Sequence, residues 1–242
     1  MTQQAQDVAQ ACRILAEAGL GDMIWGHASA RDADGRGVWL KGSGLGLEEV
    51  GEADVVLIDE AGRRVEGSAR IHIEFPIHTA IMAARSDVNS VVHCHPTNCV
   101  VFAATEEPLR PISHEGTLFV PPDLPRFTLT SDLISTPELG VALAESLGSA
   151  DALLIPGHGM VTVGTDLASA VMKAVLLERA CQLQLMTMAS GGVRRWTPDE
   201  EAVAKRQHCW GRAQIDGGYR YLQRRVDGAE PATTSPGPPA GT

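Results

Sequence analysis

The stretch Ser90–Pro96 (SVVHCHP) is the most informative part of the sequence for both structure and chemistry. Its β-branched valines favour an extended strand. A proline cannot continue a central strand, so the strand is expected to end near Pro96. Side chains two residues apart on a strand project from the same face. The stretch therefore predicts a strand that ends in two convergent imidazoles, His93 and His95, with Cys94 turned to the opposite face.

Helical patterns lie on both sides of this strand. Apolar residues recur at helical spacing in several segments, Pro76 suits the first turn of a helix, and Asp166 is a suitable N-cap residue. The last helical pattern contains Gly217–Gly218, which is expected to break or kink it. The predicted helices cover residues 2–18, 74–84, 166–189 and 198–227.

Further short strands are predicted between turn residues. They cover residues 37–41, 55–59, 152–155 and 160–163. The last two flank a glycine-rich turn that carries His158. Residues 108–137 contain several prolines and no clear period, which indicates a long and partly irregular excursion. Because helices and strands are interspersed, we expect an α/β or α+β layered fold in which helices cover a central sheet.

Length and composition favour one globular domain. The chain has 242 residues, of which 44% are hydrophobic and 21% charged, so it can bury one large core. We expect a single domain over residues 1–227. The remainder, residues 228–242, is rich in Pro, Thr, Gly and Ser and is predicted to be disordered.

Charge and cysteine content narrow the range of partners. The net charge of −10 opposes binding to nucleic acid or to anionic membrane surfaces. No apolar run approaches the roughly 20 residues that span a bilayer, and no signal-peptide pattern is present. Five scattered cysteines without a Cys-x-x-Cys pair indicate reduced thiols. We therefore expect a cytoplasmic protein that binds neither nucleic acid nor membrane.

The histidines suggest a metal site. His93 and His95 are placed to share one ion, and His158 on the tight turn can complete a facial set that leaves one side of the metal open. Glu74 opens a helix nearby and is a candidate fourth ligand or general base. His78 lies one helical turn later on the same face, either as a partner of the site or in packing. Taken singly, these residues also fit half-buried histidines and an ordinary N-terminal glutamate.

Five motifs occur together in a specific order. They are Gly26–Arg31 (GHASAR), Lys41–Gly44 (KGSG), Glu74-x-x-x-His78, His93-x-His95-Pro96 and Gly157–Gly164 (GHGMVTVG). The ordered set resembles the class II aldolase/adducin family over roughly residues 5–225. Some adducin-like relatives in that family keep the fold but lack the metal residues, whereas this sequence retains them all.

The resemblance implies a three-layer α/β/α sandwich with a central, largely antiparallel sheet. It also implies a homotetramer with active sites at subunit interfaces. In this family the histidines that match His93, His95 and His158 bind a divalent metal, commonly Zn2+ or Mn2+, and the glutamate that matches Glu74 is a ligand or the acid/base. Nitrogen and carboxylate donors also suit Fe2+ or Co2+.

The motifs differ from those of sugar-phosphate members of the family. Those members hold phosphate with segments resembling Gly-Asn-x-Ser, Thr-x-Ser-Gly and Ser-Ser-Glu. Here His27 replaces Asn, Lys41 opens the second segment, and His72 and Ile73 precede Glu74. Fewer hydroxyl donors weaken phosphate binding, because a dianion needs several aligned donors.

The segments Arg70–His78 and Ser113–Gly116 are more similar to those of family members that decarboxylate hydroxylated aromatic or pyridine dicarboxylates. We therefore expect a metal-dependent carbon–carbon lyase that decarboxylates a small hydroxylated aromatic or heteroaromatic (di)carboxylate through a metal-stabilised carbanion or enolate. Glu74 and His72 are the candidate catalytic residues, with His72 as a possible proton shuttle. The candidate substrate-binding residues are His27, Ser29, Arg31, Lys41, Ser43, Gly44 and His208.

Three alternatives stay open at this point. One is a class II aldolase that cleaves a hydroxy-ketone or a sugar phosphate. Another is a non-haem iron oxygenase, because three histidines and a carboxylate can hold iron. The last is a non-catalytic adducin-like module, which absence of bound metal would favour.

Overall fold

The computed structural model describes residues 2–228. The tail predicted to be disordered, residues 228–242, lies outside the described residues except for Gly228. That prediction therefore stays a prediction, as does the single domain over residues 1–227.

One seven-stranded sheet forms the centre of the molecule, in the order β4-β3-β2-β1-β5-β7-β6. Every neighbouring pair of strands is antiparallel. The strands are β1 (His27–Arg31), β2 (Val38–Lys41), β3 (Val55–Ile58), β4 (Arg64–Glu66), β5 (Ser90–Cys94), β6 (Ala152–Ile155) and β7 (Gly159–Gly164).

Helices cover both faces of this sheet. They are α1 (Gln3–Glu17), α2 (Phe75–Ala84), α3 (Thr97–Ala103), α4 (Gly116–Phe119), α5 (Pro137–Leu147), α6 (Leu167–Ala189), α7 (Asp199–Cys209) and α8 (Arg212–Val226). Helices α1 and α6 pack on one face and α2 and α5 on the other. The predicted α/β/α sandwich with an antiparallel sheet is confirmed. Among residues 2–228, no helix is both long and apolar enough to cross a membrane.

Strands β2, β3, β5, β6 and β7 divide their apolar side chains between two clusters. In β5, Val92 and Cys94 belong to the cluster under α1 and α6, whereas Val91 belongs to the cluster under α2 and α5. Because side chains alternate along a strand, His93 faces the α2 side together with Val91. The predicted orientation of Cys94, away from the histidines, is confirmed.

The contact between α2 and α5 is unusually close at Gly140. A Cβ atom at this glycine would lie 2.7 Å from the carbonyl oxygen of Pro76 and 2.9 Å from its Cβ atom. Pro76 lies in the first turn of α2, two residues after the N-cap residue Glu74. The absence of a side chain at Gly140 thus lets α5 hold the beginning of α2 against the sheet.

The C-terminal helical region differs from its prediction. The predicted break at Gly217–Gly218 is wrong, because both residues lie inside α8 and the chain breaks at Trp210–Gly211 instead. Trp210 donates its indole N–H to the carbonyl of His114, which fixes the break. A Cβ atom at Gly218 would lie 2.7 Å from Cε of Met172, so this glycine serves the approach of α8 to α6.

We predict that Gly140→Ala destabilises the protein. The added methyl group overlaps a backbone carbonyl, and overpacking of this kind typically costs about 1–3 kcal/mol, more than the gain in helix propensity. Thermal unfolding monitored by circular dichroism measures the effect. Gly217→Ala is the matched control, since no atom of residues 2–228 lies within 4 Å of its added Cβ, and it should leave the melting temperature unchanged or raise it. An equal response of both variants would contradict the packing argument.

Candidate metal centre

Four side chains converge at one end of the sheet on the α2 side. Glu74, His93, His95 and His158 each offer a ligand atom, and these atoms all lie within 4.8 Å of one another. Nε2 of His93 and Nε2 of His95 are 3.0 Å apart. The Glu74 carboxylate lies 3.8 Å from Nε2 of His93 and 3.6 Å from Nε2 of His158. The structure thus brings together all four residues that the sequence predicted as ligands.

The local structure explains how each side chain reaches this point. His93 is in β5 and His95 follows its end, while His158 lies on the tight turn between β6 and β7. Glu74 is the N-cap residue of α2, but its side chain makes no capping hydrogen bond. Oε1 of Glu74 instead accepts a hydrogen bond of 2.9 Å from the backbone N–H of Ile134, which turns the carboxylate toward the histidines.

The geometry of these donors fits a divalent cation. Ligand atoms about 2.1 Å from a tetrahedral ion are about 3.4 Å from each other. The measured separations of 3.0, 3.6 and 3.8 Å bracket that value. Three nitrogens and one carboxylate suit zinc, manganese, iron or cobalt. These separations between donor atoms are therefore compatible with a divalent metal.

The hydrogen bonds made by Nδ1 of His93 and by Nδ1 of His95 also favour metal binding. Nδ1 of His93 lies 3.0 Å from the carbonyl oxygen of Met160 and Nδ1 of His95 lies 3.1 Å from Oδ2 of Asp22. A carbonyl or a carboxylate can only accept, so each Nδ1 carries the proton. Nε2 of both rings consequently presents a lone pair to the centre, which is the usual arrangement for metal-binding histidines.

Burial keeps these rings unprotonated. It lowers the pKa of His158 to about 4 and that of His93 well below its usual range. The pKa of His95 is also lowered, mainly by burial, although Asp22 opposes the change. Burial raises the pKa of Glu74, against the effect of the Ile134 N–H. At neutral pH the centre therefore offers uncharged nitrogens and a carboxylate that holds a proton more readily than usual.

A second group of histidines lies directly behind Glu74. Nδ1 of His27 is 2.6 Å from Nε2 of His78, and Nδ1 of His78 is 2.6 Å from Oγ of Ser29. Nε2 of His27 lies 3.7 Å from Oε2 of Glu74. Nδ1 of His72 accepts a 3.3 Å hydrogen bond from the backbone N–H of Glu74. The sequence had left the role of His78 open between site and packing, and the structure makes it a hydrogen-bonding partner of His27.

The other predicted substrate-binding residues are placed differently. The Arg31 guanidinium donates to the carbonyl oxygens of Met82, in the last turn of α2, and of Arg85 and Val88, which follow the helix. Lys41 is fully buried, and its Nζ lies 3.4 Å from the carbonyl oxygen of Ile24. These contacts give both residues a structural role, and their part in substrate binding stays a prediction.

Ser43, Gly44 and His208 are also untested as substrate-binding residues. The backbone N–H of Ser43 donates to the carbonyl of Arg70, and Gly44 has a positive φ of 99° with open space where a side chain would lie. His208 is exposed on α7.

One residue of the centre escaped the sequence analysis. Asp22 lies on the loop before β1, where the N–H of Trp25 donates to the carbonyl of Asp22 and Met23 has a φ of 47°. An open cleft lined by Asp22, Trp25, Leu133, His95 and His158 leads from the surface to the centre. No signal in the sequence indicated this residue, because the positive φ of Met23 that shapes the loop is visible only in the structure.

This chain is similar in sequence and in fold to several known proteins. Residues 6–185 match the family model of the class II aldolase and adducin N-terminal domain. A 3,4-dihydroxyphthalate decarboxylase from Arthrobacter keyseri is 27% identical over 234 residues, which cover 92% of this chain and 93% of that protein. A protein of the same name from Terrabacter sp. (strain DBF63) is 28% identical over 218 residues, covering 83% and 88%. The solved structure of L-fuculose 1-phosphate aldolase from Glaciozyma antarctica PI12 is 25% identical, with a TM-score of 0.81 over 94% of this chain and 90% of that one.

We predict that Asp22→Ala weakens metal binding without removing a ligand. Loss of the acceptor frees His95 to rotate or change tautomer, and partners of this kind typically contribute about 10–100-fold in metal affinity. Asp22→Asn keeps a hydrogen-bond acceptor but loses the charge, so its metal affinity should lie between those of the wild type and Asp22→Ala. Competition against a chelator measures the affinities, with the exposed Asp34→Ala as control. Equal affinities for Asp22→Ala and the wild type would show that the contact has no effect on the site.

A second prediction concerns acid stability. Burial lowers the pKa of His78 to about 3, whereas an exposed histidine has a pKa of 6.5. Between these values the unfolded chain binds the additional proton, so the free energy of unfolding falls as the pH falls from about 6.5 toward 3, by at most about 1.4 kcal/mol per pH unit for this residue. His78→Asn should therefore flatten the dependence in metal-free protein, measured by urea unfolding between pH 7 and 4. An unchanged slope would mean that His78 is already protonated in the folded state.

Proposed function

Because this chain belongs to the class II aldolase and adducin family, we propose that it is a metal-dependent lyase that decarboxylates a small hydroxylated aromatic or heteroaromatic carboxylate or dicarboxylate. The observation that carries this proposal is the convergence of Glu74 and three histidine nitrogens within 4.8 Å of one another. Similarity to two 3,4-dihydroxyphthalate decarboxylases over most of the chain supports the choice of decarboxylation.

In this proposal His93, His95 and His158 hold the cation. When bound, a divalent cation supplies a Lewis acid that withdraws electron density from a substrate oxygen and so stabilises the carbanion left after loss of carbon dioxide. Zn2+ or Mn2+ suits the donors, and Fe2+ or Co2+ also fits them. The open cleft beside His95 and His158 gives the substrate its route to the cation.

Glu74 is the residue that we assign to proton transfer. Its Oε1 is engaged by the Ile134 N–H, whereas Oε2 lies toward His27 and His93. When the carbon–carbon bond breaks, carbon dioxide departs, the electron pair stays on the ring carbon, and a proton from Oε2 replaces the lost carboxyl group. The raised pKa of Glu74 favours the protonated form that this step requires. We also assign to His72 the return of a proton to Glu74, because one of its ring nitrogens lies within 4.8 Å of a Glu74 carboxylate oxygen.

An aldolase activity is the second candidate. Retro-aldol cleavage also leaves an electron pair next to an oxygen, so the same cation and the same acid suit both reactions. Structural similarity to L-fuculose 1-phosphate aldolase favours this alternative. His27 in place of an asparagine and His72 in place of a serine speak against a phosphorylated substrate, because burial keeps both rings uncharged.

We also propose a homotetramer with active sites at subunit interfaces, as the family membership suggests. The exposed apolar side chains of Met23, Ile24 and Trp25 support this proposal. They follow Asp22 on the loop beside the centre, where a neighbouring subunit would cover them.

We predict that the purified protein holds close to one divalent metal per chain and releases carbon dioxide from 3,4-dihydroxyphthalate or a related hydroxylated dicarboxylate. Elemental analysis and a carbon dioxide assay in one preparation test both points. Glu74→Gln should lower the rate by at least about 100-fold because the proton donor is lost, and His93→Ala should lower metal content as well. Glu145→Gln, an exposed position on α5, is the matched control.

Several results would contradict this proposal. Bound metal with pyruvate or aldehyde release from hydroxy-ketones would favour the aldolase, and oxygen consumption would favour an oxygenase. Metal-free protein that also fails to bind added zinc, manganese, iron or cobalt would favour a non-catalytic module.

A further inference from the structure

A second group of potential ligand atoms lies next to the metal centre and shares Glu74 with it. His27, His72 and Glu74 each contribute one atom, and these three atoms are within 4.8 Å of one another. Nε2 of His27 is fully buried and has no hydrogen-bond partner among the residues that the structure describes. A buried polar atom without a partner is costly, so this nitrogen requires an explanation.

The hydrogen bonds of His72 argue against a second cation at this place. Nδ1 of His72 accepts the backbone N–H of Glu74. A neutral imidazole that accepts at one nitrogen carries its proton on the other, so Nε2 of His72 is a donor. Neither nitrogen of this ring then offers a free lone pair to a metal. The group is better suited to a ligand that makes hydrogen bonds.

The proton on His27 can be located by following its chain of partners. Oγ of Ser29 has the Val91 carbonyl oxygen at 3.4 Å as an acceptor and Nδ1 of His78 at 2.6 Å. If Ser29 donates to Val91, His78 donates from Nδ1 to Ser29, and His27 donates from Nδ1 to Nε2 of His78. Every donor in the chain is then satisfied, and His27 keeps a lone pair on Nε2.

The opposite direction leaves a donor without a partner. Nε2 of His27 would then carry the proton, and Oε2 of Glu74 at 3.7 Å is beyond hydrogen-bond distance. Unpaired buried N–H groups are rarer in native proteins than acceptors with a free lone pair. The first direction is therefore favoured. Burial also keeps the pKa of His27 well below its usual range, so the ring stays neutral.

We propose that Nε2 of His27 accepts a hydrogen bond from a hydroxyl group of the substrate, whose oxygen lies between His27, His72 and Glu74. This assignment rests on the proposed function, and it gives the substrate a second hydroxyl beside the one that faces the cation. Substrates with two neighbouring hydroxyls on the ring satisfy both positions. The sequence predicted His27 as a substrate-binding residue, and this proposal gives it a hydroxyl group as its partner.

The dimensions of the group fit a single oxygen atom. A triangle whose sides do not exceed 4.8 Å has a point within about 2.8 Å of every corner, which is the ordinary length of a hydrogen bond to oxygen. A carboxylate fits less well. It has no proton to donate to Nε2 of His27.

His78 and Ser29 are positioning residues in this proposal. They do not reach the metal centre themselves, but they determine which nitrogen of His27 carries the proton. Both are fully buried and connect His27 to the backbone of β5 through the Val91 carbonyl. Their removal should change the recognition of a hydroxyl more than it changes the affinity for metal.

The position of the proton can be measured without any substrate. Magic-angle-spinning NMR of sedimented, 15N-histidine-labelled and zinc-loaded protein distinguishes a protonated Nδ1 from a protonated Nε2, and His27→Asn identifies the His27 signals. We expect a protonated Nδ1 in the wild type and a mixture of tautomers in Ser29→Ala. Ser146→Ala, an exposed serine on α5, is the matched control and should keep the wild-type spectrum. A wild-type His27 with its proton on Nε2 overturns the inference, whatever the reaction.

Binding of simple probes then tests the hydroxyl contact. Calorimetry of zinc-loaded protein with 3,4-dihydroxybenzoate and with its 3-methoxy and 4-methoxy analogues gives the ratio of dissociation constants for a hydroxyl against a methyl ether. Metal chelation contributes to this ratio in every variant. The change in the ratio between wild type and variant therefore measures the contribution of His27. We expect one of the two ratios to fall about tenfold in His27→Leu, which corresponds to about 1.4 kcal/mol. The same ratio should fall by a smaller factor in Ser29→Ala.

The outcomes separate this inference from the proposed function. Ratios that stay the same in His27→Leu overturn the hydroxyl contact while leaving the decarboxylase proposal in place. Failure of all three probes to bind wild-type protein counts against the proposed class of ligand and, with it, against the contact. Loss of metal from Ser29→Ala would show that the chain of hydrogen bonds serves the metal ligands instead.

Discussion

The register of β5 between its two neighbours is the constraint on which the site depends. Pairing with β1 places His27 opposite His93, and pairing with β7 places Met160 opposite Cys94, so that the Met160 carbonyl holds Nδ1 of His93. The turn before β7 brings His158 to the same end. A shift of one residue would move these side chains to the opposite face of the sheet. The apolar clusters on both faces oppose such a shift, because it would move polar side chains of β5 such as His93 into an apolar cluster.

This arrangement concentrates uncharged polar groups in a buried space. Six histidines lie close together beside Glu74, and burial lowers the pKa of each of them. Protonation of several rings at once would place like charges within a few ångströms of each other at low dielectric. Burial keeps the rings neutral, whereas the Met160 carbonyl beside His93 and Asp22 beside His95 act to raise the pKa of these two rings and determine which nitrogen carries the proton. A neutral, hydrogen-bonded cluster suits reactions in which charge appears on the substrate.

Local periodicity made much of this structure predictable, and long-range contacts limited the rest. The alternation in β5 indicated that His93 and His95 share a face, and glycines around His158 indicated a turn. Strand β1 was not predicted because HASAR contains no β-branched residue, although it supplies His27 and Ser29. Asp22 and the His27–His78 contact join residues 73 and 51 positions apart, which no local pattern reveals. Gly217–Gly218 resembled a break because its packing partner Met172 lies on another helix.

The location of Asp22 has an evolutionary consequence. His93, Cys94 and Met160 are tied to the sheet, so substitutions there disturb the fold together with the site. Asp22 instead lies on a loop with exposed neighbours, where Met23 is 68% exposed, and loops accept sequence change more readily than strands. Divergence among descendants of this protein can therefore proceed at the partner of His95 while the histidines themselves stay constant. Because Asp22 lies on a loop while the ligands are tied to the sheet, the metal affinity of the site can change through substitutions at Asp22 that leave the fold intact.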